Sequence, residues 1–337
     1  MPVDPTATAA RRRTLCVVCP CYNEAAGIRE FHAALQHALA GLEELDHRIV
    51  FVDDGSTDAT LHVLNELAAG DPELSVYALS RNFGHQIALS AGCDVARGDA
   101  VVLMDSDMQH PPALLPAMVA KWRAGADVVS SVRMGTADAT LLKNLSARMF
   151  YGFLNAISDT PIVRGAADFV LLSRPAHEAL LRMPERHRFL RGMVSWIGFR
   201  REYVDYQAPA RGAGQSHYTL RRMVQLGSDA LFSFSTAPVR LATRLGVAVV
   251  ACGMLYLAYI LYTIVVHPDH VIPGWSSLII VVLILSGAQL VLTGLIGEYI
   301  ARIFEEAKQR PLYFFKQRPA DDATPASSPP PGPAPGS

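Results

Sequence analysis

The sequence predicts an α/β fold with a mostly parallel sheet, followed by membrane-associated helices late in the chain. Between residues 14 and 173, short apolar runs alternate with amphipathic helical stretches, as is typical of parallel strands covered by helices on both faces. Polar residues follow four of these runs directly. Half of the 337 residues are hydrophobic, which is a high share for a soluble protein and indicates membrane segments.

Apolar runs rich in Val, Ile and Leu predict six strands, and stretches of helical periodicity predict five helices. The strands are expected at residues 15–19, 48–52, 74–79, 100–104, 127–132 and 169–172. The helices are expected at residues 25–42, 57–69, 85–96, 112–124 and 141–157. We also expect Ser56 to cap the second helix and Gly55 to relieve the tight turn before it.

The charge argues against a nucleic-acid-binding protein, and the cysteine content argues against a disulfide-stabilised one. A formal net charge of −1 offers no general basic surface, so we expect no nucleic-acid partner. The five cysteines are an odd number scattered over apolar segments, which favours reduced thiols over a disulfide framework. Zinc bound by Cys16, Cys19 and Cys21 is the alternative, but side chains alternate between the two faces of a strand, so we do not expect it.

Two acidic residues one position apart, Asp105 and Asp107, end the fourth predicted strand. Alone, such a pair is more typical of an acidic turn than of a ligand site. Three other strand ends also carry polar side chains, at residues 20–24, 53–58 and 80–86, and ligands of parallel sheets bind beyond these carboxyl ends. Hard divalent cations share carboxylate and phosphate oxygens, and the sequence has no glycine-rich phosphate loop. The pattern therefore predicts a nucleotide diphosphate held through Mg²⁺ or Mn²⁺.

These strand-end segments resemble, in order and spacing, those of family 2 glycosyltransferases. The matching segments are PCYNE at 20–24, VDDGSTD at 52–58, SRNFGHQ at 80–86 and DSDMQHPP at 105–112. The segment at 297–311 resembles the C-terminal signature of the membrane-bound polyprenyl-phosphate branch, and the resemblance extends from residue 14 to about residue 316. It implies a GT-A fold, of Rossmann-like type, and inverting transfer of a sugar from a nucleoside diphosphate to a lipid phosphate.

The resemblance implies roles for individual positions. The nucleoside pocket would be lined by Pro20, Tyr22, Glu24 and Asp54, with Asp53 and Asp105 also on the nucleotide. The metal would be held by Asp105, Asp107 and Gln109. The lipid phosphate would be bound by Arg133 and Arg191, with Ser216 and His217, although exposed arginines also form surface salt bridges. Departures from the family pattern at Val170 and His217 leave the identity of the sugar open.

The catalytic set would be Asp168, Arg133 and Arg191, and Asp168 has two interpretations. It resembles the acid proposed as general base in this branch. However, the second pKa of a phosphate monoester is near 6, so the acceptor oxygen is largely ionised at pH 7 and needs no strong base. Asp168 would then orient an arginine or the sugar hydroxyls.

Two apolar stretches, 245–266 and 277–296, are each long enough to cross a bilayer. The link between them has no Lys or Arg, whereas basic residues flank the pair. We therefore expect the protein in the inner (plasma) membrane, with both termini in the cytoplasm. The expected organisation is a flexible leader at 1–13, a catalytic domain at 14–212, amphipathic juxtamembrane helices at 213–244, two transmembrane helices at 245–301, a cytoplasmic basic segment at 302–318 and a disordered tail at 319–337. The resemblance also implies a homo-oligomer.

The leading hypothesis is therefore an enzyme that moves one sugar, most simply from a UDP-linked donor, to undecaprenyl phosphate. A polymerising synthase of the same fold is the first alternative, but the sequence has no Gln-x-x-Arg-Trp segment typical of that class. A catalytically silent, nucleotide-binding membrane scaffold is the second.

Overall fold

The computed structural model describes residues 12–133, 166–186, 188–207, 274–319 and 322, together with part of a helical stretch between residues 244 and 266. All six predicted strands are present, and two further strands were not predicted. The strands are β1 Arg13–Cys21, β2 Leu45–Asp53, β3 Leu74–Leu79, β4 Ala100–Leu103, β5 Val128–Arg133, β6 Ala166–Ser173, β7 Arg201–Tyr206 and β8 Phe315–Gln317.

The eight strands of the described chain form one sheet in the order β7-β5-β6-β4-β1-β2-β3-β8. Strand β1 pairs in parallel with β2 and β4, β2 pairs in parallel with β3, and β5 pairs in parallel with β7. Strand β6 runs antiparallel between β4 and β5, and β8 runs antiparallel beside β3. The predicted α/β fold with a mostly parallel sheet is confirmed, and the carboxyl ends of β1 to β4 meet at one edge.

Helices cover both faces of this sheet. They are α1 Ile28–Ala40, α2 Thr60–Gly70, α3 His85–Val95, α4 Leu115–Arg123, α5 Arg174–Leu181 and α6 Leu190–Trp196. A longer helix, α7 Trp275–Ala307, comes later in the chain. The predicted helix at 112–124 begins as a 3₁₀ turn over Pro112–Leu114, a common form of helix entry. The helix predicted at 141–157 lies outside the described residues, and α5 and α6 were not predicted.

The turn before α2 corrects one prediction and confirms another. Ser56 does not cap the helix: its Oγ accepts the N–H of Asn23 at 3.0 Å, and α2 begins only at Thr60. Asp58 holds that entry instead, because its Oδ1 accepts the Thr60 N–H at 2.9 Å. Gly55 does relieve the turn, since its φ is +67° and a Cβ there would lie 2.4 Å from backbone of the loop after β3.

The core has two layers because the side chains of β1 alternate across the sheet. Leu15, Val17 and Cys19 pack on the face covered by α1, α2 and α4. Cys16 and Val18 pack on the opposite face, under α3, α5 and α6. The three strand cysteines are free, buried thiols, with Cys16 on one face and Cys19 and Cys21 on the other. Burial raises the pKa of Cys16 to about 11.

The segment after α7 returns to the sheet, which the sequence did not predict. Strand β8 pairs with β3, and the N–H of Ser80 donates to the carbonyl of Phe314 at 2.8 Å. A strand of only three residues carries no readable periodicity, so it was missed within the segment expected to be basic and cytoplasmic. In the part of the chain that the structure describes, no helix combines the length and the apolar character needed to cross a bilayer. The spans at 245–266 and 277–296 stay predictions.

Candidate active site

The loops that follow β1 and β2 are joined to one another by hydrogen bonds. Asn23 adopts a left-handed conformation, with φ 56°, and its Oδ1 accepts the N–H of Thr57 at 2.8 Å. The N–H of Glu24 donates to Thr60 Oγ1 at 2.8 Å. Asparagine tolerates this backbone conformation better than most residues, so the local sequence suits the fold. The two loops that carry the predicted nucleoside contacts therefore form one wall.

The three predicted pocket residues on the first loop differ in exposure. Tyr22 is 44% exposed, Pro20 is buried, and Glu24 is half-buried. Burial raises the pKa of Glu24, and the negative charges of Asp107 and Asp58 add to the effect. The carbonyl of Pro20 accepts the hydroxyl of Ser106 at 2.9 Å. The structure thus brings the first loop beside the Asp105–Asp107 turn.

The adjacent acids Asp53 and Asp54 are almost completely buried, at 1% and 3% exposure. The carboxylate of Asp54 accepts the N–H groups of Phe83 and Gly84, at 2.7 and 2.9 Å. Asp53 accepts the N–H of Ser56 at 3.2 Å. Burial raises both pKa values although these hydrogen bonds lower them. Asp54 therefore fixes the entry to α3, and its contact with a nucleoside stays a prediction.

The turn after β4 places three oxygen-bearing side chains together. Asp107 Oδ1 accepts the N–H of Gln109 at 3.0 Å, which folds the turn back on itself. The N–H of Asp105 donates to His110 Nδ1 at 3.0 Å, and the His110 ring stacks on Phe169 with centroids 5.5 Å apart. Burial lowers the pKa of His110, which agrees with a neutral ring whose Nδ1 accepts. His110 thereby fixes the backbone of the first acid.

Two oxygens in this turn are buried and have no hydrogen-bond partner among the described residues, Asp105 Oδ1 and Gln109 Oε1. Carboxylate and amide oxygens are the donors that hard divalent cations prefer, so these residues fit such an ion. No three His, Cys, Asp or Glu side chains within the described ranges group in a way that could hold a metal. A site here would thus combine two carboxylates, Asp105 and Asp107, with one amide oxygen, a set usually completed by substrate phosphates.

Asp168, at the start of β6, lies in a network that uses both of its oxygens. Its Oδ1 accepts Arg191 Nε at 2.6 Å, and its Oδ2 accepts Arg191 Nη2 at 3.0 Å, so the pair is bidentate. Gln86 Nε2 also donates to Oδ2, at 3.2 Å. Burial opposes ionisation of Asp168, but His85 and Arg191 outweigh it and hold its pKa well below the ordinary range. Asp168 is therefore a fixed carboxylate.

His85 lies between the two groups of acids. Its Nε2 is 3.2 Å from Asp105 Oδ1, a contact that does not meet the geometry of a hydrogen bond, and 3.8 Å from Asp168 Oδ2. Burial lowers the pKa of His85, but the neighbouring carboxylates Asp168 and Asp105 outweigh it and leave the pKa raised. One imidazole thus contacts both the predicted metal ligand and the predicted catalytic acid.

The remaining predicted residues lie at the far side of the site or outside the description. Arg133, exposed at the end of β5, is paired in register with Tyr206 at the end of β7. Burial raises the pKa of Tyr206, and the charges of Arg133, Asp105 and Arg191 also act on it. Predicted phosphate ligands Ser216 and His217 lie outside the described residues.

Four residues of this arrangement had no role assigned from the sequence: His85, Gln86, His110 and Tyr206. The first three lie inside the strand-end segments at 80–86 and 105–112, so their position in these segments was the only sequence evidence for a role. For Tyr206 the sequence offered no evidence of a role, because β7 itself was not predicted.

The sequence is similar to those of known proteins over most of its length. The family model for glycosyl transferase family 2 matches residues 16–181, and a model described as the GtrB C-terminal hairpin matches residues 237–303. An uncharacterized glycosyltransferase of Bacillus subtilis (strain 168) is 40% identical over 301 residues, covering 89% of this chain and 93% of the relative. The bactoprenol glucosyl transferase of Shigella phage SfX is 37% identical over 302 residues, covering 90% of this chain and 98% of the relative.

Among solved structures, mannosyl-3-phosphoglycerate synthase from Rubrobacter xylanophilus matches 69% of this chain and 75% of its own, at 20% identity and a TM-score of 0.44. The assignment itself depends on the sequence relatives, which align over nearly their whole length. The chain therefore belongs to glycosyl transferase family 2 and is a glycosyltransferase.

Proposed function

We propose that this enzyme transfers a single sugar, with inversion, from a nucleoside diphosphate sugar, most simply UDP-linked, to polyprenyl phosphate. The observation that carries the proposal is the contact of His85 with both Asp105, at 3.2 Å, and Asp168, at 3.8 Å. A site for the donor diphosphate and a site for the acceptor are thereby only one side chain apart. Direct transfer between two bound substrates requires such closeness.

On the donor side, Asp105, Asp107 and Gln109 would hold Mg²⁺ or Mn²⁺. When bound, the ion would neutralise charge that develops on the leaving diphosphate. Among the described residues, the buried oxygens Asp105 Oδ1 and Gln109 Oε1 have no hydrogen-bond partner. This supports the role, because buried acceptors without hydrogen bonds are costly unless a ligand binds them. The exposed Tyr22 ring and the half-buried Glu24 support a nucleoside position along the wall formed by the first two loops.

On the acceptor side, Arg191 is aligned by the bidentate contact with Asp168 and would bind the lipid phosphate. A guanidinium pairs well with phosphate oxygens, and Arg133 would add a second positive charge. Because the pKa of Asp168 is lowered, its carboxylate is a weak proton acceptor, and the acceptor phosphate is already largely ionised at pH 7. Of its two interpretations, orientation of Arg191 is therefore favoured over general base.

The relatives support the acceptor class and a membrane location. Several are named bactoprenol glucosyl transferases, after a polyprenyl lipid, and the hairpin model covers both predicted spans. We propose that the two spans, at residues 245–266 and 277–296, lie in the inner (plasma) membrane. The catalytic domain and both termini would face the cytoplasm, where nucleotide sugars are available.

The experiment is a panel of radiolabelled nucleotide sugars incubated with the full chain and undecaprenyl phosphate. The donors are UDP-glucose, UDP-N-acetylhexosamine, a UDP-4-amino-arabinose derivative and GDP-mannose, each with Mg²⁺, Mn²⁺ or EDTA. We expect one donor to label chloroform-soluble lipid with a single sugar of inverted anomeric configuration, and EDTA to abolish the product. A polymeric product would indicate a synthase, no product would indicate a silent scaffold, and activity in EDTA would overturn the metal site.

A further inference from the structure

The side chain of Gln86 closes a ring of contacts around the acceptor arginine. Its Nε2 donates to Asp168 Oδ2 at 3.2 Å, and its Oε1 accepts the N–H of Leu190 at 3.1 Å. Leu190 is the first residue of α6, and Arg191, which follows it, returns to Asp168 through two hydrogen bonds. The ring therefore connects α3, β6 and α6 through three side chains and one backbone N–H.

We infer that Gln86 is a positioning residue that holds the side chains of Asp168 and Arg191 in the orientation needed to bind the acceptor phosphate. This inference rests on the proposed function. The amide suits the position because it donates and accepts at once. A carboxylate would lose the donor and place a second negative charge beside Asp168, and an apolar side chain would lose both bonds. The N–H groups of the first turn of α6 also need acceptors, and no side chain at the start of that helix caps it.

The backbone of Gln86 is itself fixed to the donor side of the site. Gly84, two residues earlier, donates its N–H to Asp54 at 2.9 Å and accepts the N–H of Ile87 at 3.0 Å. The carbonyl of Gln86 accepts the hydroxyl of Ser90 at 2.7 Å. The first turn of α3 is therefore bonded to the end of β2 on one side and to Asp168 and Leu190 on the other. Gln86 thus fixes the distance between donor and acceptor groups.

The alternative is that Gln86 only caps α6. Gln86→Glu distinguishes capping from positioning, because a carboxylate still accepts the Leu190 N–H but cannot donate to Asp168. Gln86→Met removes both bonds at similar volume. The matched control is Gln36→Met, because Gln36 Nε2 donates to Asp71 Oδ2 at 2.8 Å in the same kind of Gln–Asp bond, away from the site.

The test measures transfer kinetics with the full chain, using the active donor of the panel and undecaprenyl phosphate. For both Gln86 variants we expect kcat/KM for the lipid phosphate to fall about tenfold to 100-fold, the usual effect of losing a hydrogen bond to a charged group. The KM for the donor should be unchanged, and Gln36→Met should match wild type. Near-normal kinetics of Gln86→Glu would overturn the inference in favour of capping. An equal rise in the donor KM would also overturn it, because the loss of activity would then come from a general loss of structure.

A second readout does not depend on the acceptor. The Arg191 side chain is 35% exposed and engaged by Asp168, so its modification by phenylglyoxal, followed by peptide mass spectrometry, reports how firmly it is held. We expect modification several-fold faster in Gln86→Met than in wild type or Gln36→Met. Equal rates would overturn the inference. If wild type forms no lipid product, the proposed function fails, and these rates alone decide whether Gln86 positions Arg191.

Discussion

Two carboxylates, Asp105 and Asp168, contact the same histidine but differ in how their oxygens are used. Asp168 accepts three hydrogen bonds from Arg191 and Gln86, and its pKa is lowered. Asp105 has one oxygen that is buried without a hydrogen-bond partner among the described residues, and burial raises its pKa despite the two nearby imidazoles.

The difference indicates that Asp168 is fixed by its neighbours, whereas Asp105 has an oxygen available to a ligand. A carboxylate whose oxygens are all occupied has little capacity left for a metal or a proton, whereas a buried acceptor without a partner carries a free-energy cost that a ligand removes. We therefore propose that function in this site is divided: Asp105 would bind the donor through an ion, and Asp168 would position Arg191 for the acceptor.

The largest expected effect is that of Asp105→Asn. Loss of the charge should lower transfer by about 10²–10³-fold, because stabilisation of the leaving diphosphate is lost. The same change should not lower the Tm of the metal-free protein in detergent, since it removes a poorly satisfied buried charge. Activity is measured by lipid labelling and Tm by thermal unfolding. A clear fall in Tm would mean that Asp105 is structural like Asp168.

Asp168→Asn is expected to lower turnover about tenfold to 100-fold with little change in donor binding, because the amide no longer pairs with both nitrogens of Arg191. Its Tm should fall by about 2–4 °C, roughly 1 kcal/mol, since solvent partly screens the arginine, whose side chain is 35% exposed. Steady-state kinetics and calorimetry check both. Near-normal turnover would remove Asp168 from the catalytic set.

Gln109→Met should have a smaller effect than Asp105→Asn, because it removes a neutral ligand rather than a charged one. We expect the Mn²⁺ concentration for half-maximal activity to rise about tenfold, with restored turnover at high Mn²⁺. A metal titration of the transfer rate measures this. An unchanged Mn²⁺ concentration for half-maximal activity would exclude Gln109 from the metal site.

The smallest expected effect is a pH dependence of stability. A carboxylate with a lowered folded-state pKa stabilises the fold above its unfolded pKa of about 3.9, and this contribution is lost as the pH falls through the folded value. The Tm gap between wild type and Asp168→Asn should thus not narrow from pH 8 to pH 5, because protonation of His85 beside Asp168 adds to it as the pH falls, and it should narrow below about pH 4. Thermal unfolding across this range measures the gap, and narrowing already near pH 6 would contradict the lowered pKa.

The fold was largely predictable, because the alternation of apolar runs and amphipathic stretches reports buried parallel strands directly. All six predicted strands are present, but β7 and β8 were missed. The first alternates weakly, with only Val204 and Tyr206 buried, and the second has three residues. Both are edge strands placed by partners distant in sequence, which local patterns do not contain.

For the site, the sequence predicted which residues gather but not how they contact each other. Asp54 is predicted at the nucleoside, and the sequence gives no sign that its carboxylate also holds the loop of Phe83 and Gly84. The roles of His85 and Gln86 depend on where β6 and α6 lie in space. The positions of acids at strand ends follow from topology, whereas hydrogen-bond partners follow from packing between elements, and only the first is readable along the chain.

The most direct test of this account is calorimetric binding of UDP in the presence of Mn²⁺ to wild type, Asp105→Asn and Asp168→Asn. We predict binding to wild type and to Asp168→Asn with similar affinity, and at least tenfold weaker binding to Asp105→Asn, a difference of about 1.4 kcal/mol. Equal affinity of all three proteins, or a loss confined to Asp168→Asn, would contradict the assignment of Asp105 to the donor and of Asp168 to the acceptor.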